Sequence, residues 1–206
     1  MSIAEHALSY VADGQVLGLG TGRAATEFVQ ALGQRVRAGL RVRGVPTSKA
    51  TADLAAKLGI PLTTLADVQE LDVAIDGADE VDAQLRLIKG NGGALVREKI
   101  VAASARRFVV LVGEDKEVPV LGAHGNLPVE VVPFGVHLVQ RRLQTMGYAS
   151  RVRQQQGQPL PLVRSQQSRR RLAQSRQYQQ PWWQVFRCSR GLAQSSRKRY
   201  ITRRPA

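Results

Sequence analysis

Apolar and polar residues follow two alternating patterns over the first 113 positions. Short runs of valine, leucine and isoleucine are typical of buried strands, and longer stretches with apolar residues every three or four positions are typical of helices. The pattern predicts strands at residues 15–20, 40–46, 60–65, 72–77, 85–90 and 107–113, and helices at 24–37, 48–59 and 93–105. Strands that alternate with helices indicate an α/β fold with a mostly parallel, Rossmann-like sheet covered by helices on both faces.

A second, smaller module begins near Leu127. Its pattern predicts a strand and turn in PVEVVPFG, a helix at 136–147 and a strand at 148–154. We therefore predict an α/β domain over residues 1–126 and the start of a small α+β domain over 127–154, which stays incomplete.

The segment 155–206 has a different composition. It is rich in Gln, Arg and Ser, contains no Asp or Glu, and has no sustained period of two or 3.6. Such a segment does not easily bury enough apolar surface to offset its ordering entropy. The sequence therefore predicts an irregular or disordered basic tail, with no further strands and no return to the main sheet.

The distribution of charge changes what the net charge of +14 suggests. Residues 1–150 hold 16 basic and 16 acidic residues, so the whole excess lies in residues 151–206. A nucleic-acid binder that stacks bases on Trp182, Trp183 and Tyr178 is one alternative. Basic residues scattered through a low-complexity tail are more often unstructured, so nucleic acid is not the expected partner.

Cysteine usage and hydropathy predict the compartment. The single cysteine, Cys188, cannot form an internal disulfide, and the N-terminus MSIAEHALSY has an acidic residue where a signal peptide has a basic one. No apolar run approaches the roughly 18 to 20 residues that span a bilayer. We expect a cytoplasmic protein with no membrane partner.

Two glycine-rich turns precede predicted helices. GLGTG (18–22) follows a strand, as a phosphate-binding loop does, because backbone N–H groups and the helix dipole favour an anion there. The dinucleotide fingerprint does not fit, since its third glycine would fall at Arg23. A small phosphorylated ligand and a purely structural tight turn both remain open.

The second turn, in KGNGGALVREKIV (89–101), leads into a helix that carries Glu98. At 100° per residue, Glu98 falls on the apolar face of this helix, whereas Arg97 and Lys99 project elsewhere. A carboxylate on an apolar face has a raised pKa, which suits a general base. A glutamate paired with a neighbouring cation explains the same position equally well.

Two further stretches carry polar groups at strand ends. VAIDGADEVD (73–82) is an acidic run that a solvated loop would also explain, and TSKAT (47–51) offers hydroxyls whose simplest role is an N-cap by Ser48 or Thr47. Ligands of parallel sheets bind at the carboxyl ends of the strands, which is where both stretches are predicted to lie.

Five motifs, in order and spacing, resemble the signatures of the ribose-5-phosphate isomerase A family over about residues 1–154. They are GLGTGRAATEF, TSKATADLAAKLGIPL, VAIDGADEVD, LIKGNGGALVREKIVA and LPVEVVPFG. The resemblance implies a cofactor-free, metal-free aldose–ketose isomerase of the pentose phosphate pathway. Such an enzyme interconverts ribose 5-phosphate and ribulose 5-phosphate, and the family implies a homodimer or homotetramer.

The resemblance also implies roles for individual residues. Glu98 corresponds to the base that moves a proton between C1 and C2 through an enediolate. Asp76 and Asp79 correspond to aspartates that bind sugar hydroxyls. This role explains a cluster of carboxylates without a metal ion. The implied substrate-binding residues are Thr21, Gly22, Arg23, Ala24, Asp76, Gly77, Ala78, Asp79, Lys89, Gly90, Asn91, Gly92 and Lys116.

The chain departs from the family pattern at several positions. Arg23 and Ala24 replace the usual serine and threonine, so Arg23 would have to contact phosphate through charge. Asn91 stands where glycine is typical. The tail lacks a DNGN-type segment, which suggests a shifted reading frame near residues 155–165 and predicts impaired activity. A non-catalytic sugar-phosphate binder is the remaining alternative, although it would not need Glu98.

Overall fold

The structure, a computed structural model, describes residues 2–155, 158–166 and 183–188. In chain order the elements are α1 (Ile3–Ala7), β1 (Val16–Leu19), α2 (Arg23–Arg37), β2 (Arg43–Pro46), α3 (Lys49–Lys57), β3 (Val73–Gly77), β4 (Glu80–Val81), β5 (Leu87–Ile88), α4 (Leu95–Ala103), β6 (Phe108–Gly113), β7 (Asn126–Glu130), α5 (Val136–Thr145), β8 (Ala149–Gln155), β9 (Gln158–Gln166) and β10 (Trp183–Cys188).

Contacts divide the chain into two compact units. Among the described residues, the first unit comprises 2–77, 97–115 and 183–188, and the second comprises 78–96, 116–155 and 158–166. The predicted boundary near residue 127 therefore differs from the division in the structure, which first crosses units after Gly77. Local patterning could not reveal this, because the second unit is assembled from separate stretches of chain.

The first unit is built on a parallel sheet with strand order β10-β6-β3-β1-β2. Strand β1 and most of β3 and β6 consist of buried residues, in accord with their continuous apolar sequences. Helix α2 contributes Phe28, Val29 and Leu32 to the core of this unit. The α/β class predicted from the sequence is confirmed.

Helix boundaries in the first unit follow capping chemistry. Ser48 is the N-cap of α3, and its hydroxyl accepts a hydrogen bond from the Thr51 N–H at 3.1 Å. Gly59 follows the end of α3 with φ of 75°, a conformation that glycine adopts without strain. The predicted N-cap and C-terminal glycine of this helix are both confirmed.

The second unit contains a β4-β5 antiparallel hairpin and an antiparallel sheet of order β7-β9-β8. Ile88, Val118 and Leu121 form a small buried cluster here. Helix α5 has no fully buried residue, and Phe134, just before it, is entirely exposed. Among the side chains whose burial is described, this unit therefore has far less core than the first.

Three segments differ from the pattern-based expectations. Residues 60–65 form no strand, because Leu62 makes only one isolated bridge to Gly44. The tail, expected to be irregular, contains β9 beside β7 and β8, and it contains β10 beside β6 in the main sheet. Backbone pairing does not need a long apolar period, and WQVF consists largely of strand-favouring residues. Apart from Gln155, which ends β8, the other tail residues lie outside the described ranges.

No helix among the described residues combines the length and hydropathy needed to cross a membrane.

Candidate active site

The turn GLGTG, between β1 and α2, requires glycine at two positions for different reasons. A Cβ at Gly20 would lie 2.3 Å from Asp76 Oδ1 and 2.6 Å from the Asp76 Cα, so no side chain fits there. Gly22 has φ of 106° and is the N-cap of α2, which has no side-chain cap. The first N–H groups of α2 have no acceptor within the helix, so this turn presents donors suited to an anion.

Asp76, at the carboxyl end of β3, holds this turn through hydrogen bonds to the backbone. Its side chain is buried, and Oδ1 accepts hydrogen bonds from the N–H of Thr21 at 3.1 Å and of Gly77 at 2.7 Å. A buried carboxylate that accepts N–H bonds holds the backbone more firmly than a neutral acceptor would. The family resemblance assigned Asp76 to sugar hydroxyls, and the structure adds that Asp76 supports the glycine-rich turn.

Three threonine hydroxyls form hydrogen bonds at the same turn. Thr21 Oγ1 lies 2.7 Å from Thr47 Oγ1 and 3.3 Å from Thr51 Oγ1. Thr47 and Thr51 are buried, and they donate to the carbonyl oxygens of Leu19 and Gly20 at 3.0 and 2.9 Å. Sequence reasoning assigned TSKAT only to helix capping, because the pattern of that stretch carries no sign of its contact with a loop 26 or more residues earlier.

Glu98 lies on the buried face of α4, as the 100° count predicted. Only 4% of the residue is exposed, and Val101 and Ala102 are buried on the same helix. A Cβ at Gly18 would lie 2.5 Å from Val101 Cγ1, so the glycine lets α4 approach β1 closely. The helix that carries the candidate base is thus packed directly against the strand that leads into the GLGTG turn.

The second glycine-rich turn, KGNG at residues 89–92, belongs to the second unit. Gly90 has φ of 96°, and its carbonyl accepts the Gly93 N–H at 3.0 Å. Asp79 Oδ2 accepts the N–H of Asn91 at 2.9 Å, and the Arg153 guanidinium donates to the Asn91 carbonyl. Lys89 is half-buried. Two oppositely charged side chains therefore hold the backbone of one exposed residue.

The other carboxylates of the acidic run have structural partners. Glu80, 2% exposed, accepts the N–H groups of Gly122 at 2.5 Å and His124 at 2.7 Å. Asp82 accepts the N–H and guanidinium of Arg86 at 2.9 and 2.6 Å. The alternative that VAIDGADEVD is only a solvated loop is therefore wrong, since each of its four carboxylates accepts a hydrogen bond from at least one backbone N–H.

The remaining predicted residues lie near the ends of elements. Arg23 begins α2, is largely exposed, and lies 3.8 Å from Asp115. Lys116 ends a short 3₁₀ turn and is half-buried. A surface ion pair of that length adds little stability, so Arg23 can reorient toward an anion at small cost.

The structure thus groups the predicted residues by unit. The first unit brings together Thr21, Gly22, Arg23, Asp76 and Gly77 around one turn, and the second brings Asp79 to the KGNG turn. Sequence reasoning missed Thr51 and Arg153 as contacts of these turns. Within the described ranges, no group of three or more His, Cys, Asp or Glu side chains is arranged to hold a metal ion.

Comparison with known sequences identifies relatives. The family description "Ribose 5-phosphate isomerase A (phosphoriboisomerase A)" matches residues 43–168, which extends beyond the resemblance ending at about 154. The chain is 57% identical over 152 residues to ribose-5-phosphate isomerase A of Roseiflexus sp. (strain RS-1), covering 73% of this chain and 65% of that protein. It is 54% identical over 142 residues to the Bradyrhizobium diazoefficiens protein of that name, covering 69% and 58%. The matched part therefore spans about three-fifths of these relatives' length.

Solved structures give the same result. Ribose 5-phosphate isomerase A from Methanocaldococcus jannaschii superposes with a TM-score of 0.75 at 40% identity, covering 80% of this chain and 77% of that one. A D-ribose-5-phosphate isomerase in complex with phospho-erythronic acid superposes with a TM-score of 0.75 at 36% identity, covering 80% and 76%. The extent of these matches and the order of the five motifs lead to one conclusion: the chain belongs to the ribose 5-phosphate isomerase A family.

Proposed function

We propose that this chain interconverts D-ribose 5-phosphate and D-ribulose 5-phosphate through an enediolate, with Glu98 as the general base. The observation that carries the proposal is the burial of Glu98 on a helix packed against β1, the strand that leads into a turn suited to phosphate. Family membership and the similarity to a protein that binds phospho-erythronic acid support the same substrate class.

The reaction moves one proton between adjacent carbons. In the forward direction the Glu98 carboxylate removes the proton from C2 of the open-chain aldose, which leaves an enediolate. The resulting carboxylic acid then returns a proton to C1, while the C1 oxygen gains one and the C2 hydroxyl loses one. A single carboxylate serves both carbons because they are neighbours, and no redox partner is consumed.

The other groups bind and orient the sugar phosphate. Phosphate binds at the α2 N-terminus, where residues 22–24 provide backbone N–H donors and Arg23 provides positive charge. A carboxylate accepts several hydrogen bonds, so Asp76 and Asp79 can bind sugar hydroxyls in addition to their backbone N–H groups. The proposed binding set also includes Gly77, Ala78, Lys89, Gly90, Asn91, Gly92 and Lys116.

The experiment compares the parent chain with Glu98→Gln, using Glu27→Gln as the matched control because Glu27 is exposed on α2. Ribulose 5-phosphate formation is measured from ribose 5-phosphate. We expect Glu98→Gln to lose at least about a hundredfold in kcat, because the amide keeps the shape and cannot take a proton. Glu27→Gln should match the parent.

Activity of Glu98→Gln within tenfold of the parent would exclude Glu98 as the base. A parent chain that binds ribose 5-phosphate without forming ribulose 5-phosphate above the enzyme-free rate would instead support the non-catalytic sugar-phosphate binder.

A further inference from the structure

The hydroxyl groups of Thr21, Thr47 and Thr51, here called the threonine cluster, decide which donors of the GLGTG turn can reach a ligand. Each threonine hydroxyl has one proton and can accept two hydrogen bonds. Thr47 lies 3.0 Å from the Leu19 carbonyl and Thr51 lies 2.9 Å from the Gly20 carbonyl. A carbonyl only accepts, so the single proton of Thr47 and that of Thr51 are already assigned.

This assignment fixes the direction of the remaining contacts. Thr21 Oγ1 is 2.7 Å from Thr47 Oγ1, and Thr47 has no second proton to give. Thr21 must therefore be the donor to Thr47, and its single proton leaves the longer, 3.3 Å contact with Thr51 as the weaker branch of a shared bond. The hydroxyl proton of Thr21 points into the protein, toward buried acceptors.

The backbone donor of Thr21 is also directed inward. Its N–H donates to Asp76 Oδ1 at 3.1 Å, on a side chain that is 3% exposed. Both donors of Thr21 are thus satisfied within the first unit. A phosphate monoester is largely a dianion at neutral pH and needs donors, so Thr21 offers it nothing further.

We propose that Thr21 and Thr47 are positioning residues and that neither binds the phosphate directly. Their hydrogen bond anchors the GLGTG turn to the junction between β2 and α3, and it thereby aims the N–H groups of residues 22–24 at the anion. The proposal deepens the proposed function, on which it rests for the phosphorylated substrate. It changes the role of Thr21 from ligand to support.

The experiment is a double-mutant cycle on the full chain, with Thr21→Val, Thr47→Val and the double variant. Valine keeps the shape of threonine and removes the hydroxyl. Affinity for inorganic phosphate is measured by calorimetry, which needs no turnover, and KM and kcat for ribose 5-phosphate are measured in parallel. Thr47→Ser and Thr21→Ser restore the hydroxyls, and Thr63→Val is the control outside the cluster.

We expect each single valine variant and the double variant to weaken phosphate binding by the same factor, about five- to tenfold, because all three lose the hydrogen bond between Thr21 and Thr47. Thr47→Val also removes the bond to the Leu19 carbonyl, which should lower stability rather than weaken phosphate binding further. KM should rise by a similar factor with a much smaller change in kcat. Both serine variants should recover to within about twofold of the parent, and Thr63→Val should be unchanged.

Three results would overturn the proposal. In the first, Thr21→Val weakens phosphate binding while Thr47→Val does not, as a direct ligand would require. In the second, the two effects multiply in the double variant. In the third, the folded parent binds no phosphate. A chain that binds phosphate and shows the shared effect, yet has no isomerase activity, would contradict the proposed function and support this inference.

Discussion

The two glycine-rich turns are held by the same device in different surroundings. In each, an aspartate from VAIDGADEVD accepts a backbone N–H: Asp76 accepts from Thr21 at 3.1 Å, and Asp79 accepts from Asn91 at 2.9 Å. Asp76 is buried, and so are Thr47 and Thr51, whose hydroxyls also contact the first turn, whereas Asn91 in the second turn is exposed. The difference indicates a preformed turn in the first unit and a turn in the second unit that is displaced at lower cost.

Burial accounts for the difference in energy. Removing one partner of a hydrogen bond to a buried charge leaves the other partner desolvated and unpaired, which costs its full desolvation free energy. An exposed partner instead forms a hydrogen bond with water, so the cost is small. The first turn should therefore tolerate very few substitutions. The second turn should tolerate several substitutions, and their effects should be on substrate binding rather than on the free energy of unfolding.

The largest effect is expected at Gly20. In Gly20→Ala the new Cβ would lie 2.6 Å from the Asp76 Cα, and backbone atoms cannot move aside as a flexible side chain can. We expect the free energy of unfolding to fall by about 3 kcal/mol, measured by urea denaturation. Gly77→Ala is the matched control for stability, because its Cβ would meet nothing closer than 3.6 Å. Equal stability of the two variants would contradict the geometry.

A smaller effect is expected from the aspartates. Asp76→Asn should lower the free energy of unfolding by about 2 kcal/mol, because a neutral amide oxygen replaces a buried charged acceptor of two N–H groups. Asp79→Asn should cost below about 1 kcal/mol, since its N–H partner is at the surface. Urea denaturation of both variants checks the order. A larger loss at Asp79 would reverse the comparison.

The smallest effect is expected at Arg153. Arg153→Met removes the side-chain bond to the Asn91 carbonyl, and we expect KM for ribose 5-phosphate to rise about threefold with unfolding free energy unchanged within about 0.5 kcal/mol. Arg151→Met, two residues earlier on β8, is the control. If the two variants have the same KM, Arg153 does not support the KGNG turn.

Local patterns predicted what depends on neighbouring residues. The buried strands and the burial of Glu98 follow from spacing, because strand and helix periods determine which side chains face the core. The cap at Ser48 or Thr47 followed from hydroxyl residues at a strand-to-helix junction, and the structure assigns it to Ser48. The Glu80 contacts could not be predicted this way, since its partners Gly122 and His124 are more than 40 residues away.

The tail illustrates the same limit. Strand β10 pairs with β6 through the backbone, and its sequence has too few residues to establish a period. The predicted reading-frame shift and the predicted homodimer or homotetramer stay predictions. The resemblance supplied the roles of Asp76, Asp79 and Lys89, which no spacing rule would have assigned.

One measurement tests the proposed reaction most directly: proton NMR of ribose 5-phosphate incubated with the full chain in D₂O. A base that moves a proton through an enediolate exchanges part of it with solvent, so we predict that ribulose 5-phosphate forms with deuterium at C1. The rate should fall to the enzyme-free level in Glu98→Gln. Failure of the folded parent to form the ketose, or equal deuterium incorporation by the Glu98→Gln variant, would contradict the assignment of Glu98 as the base of an isomerase.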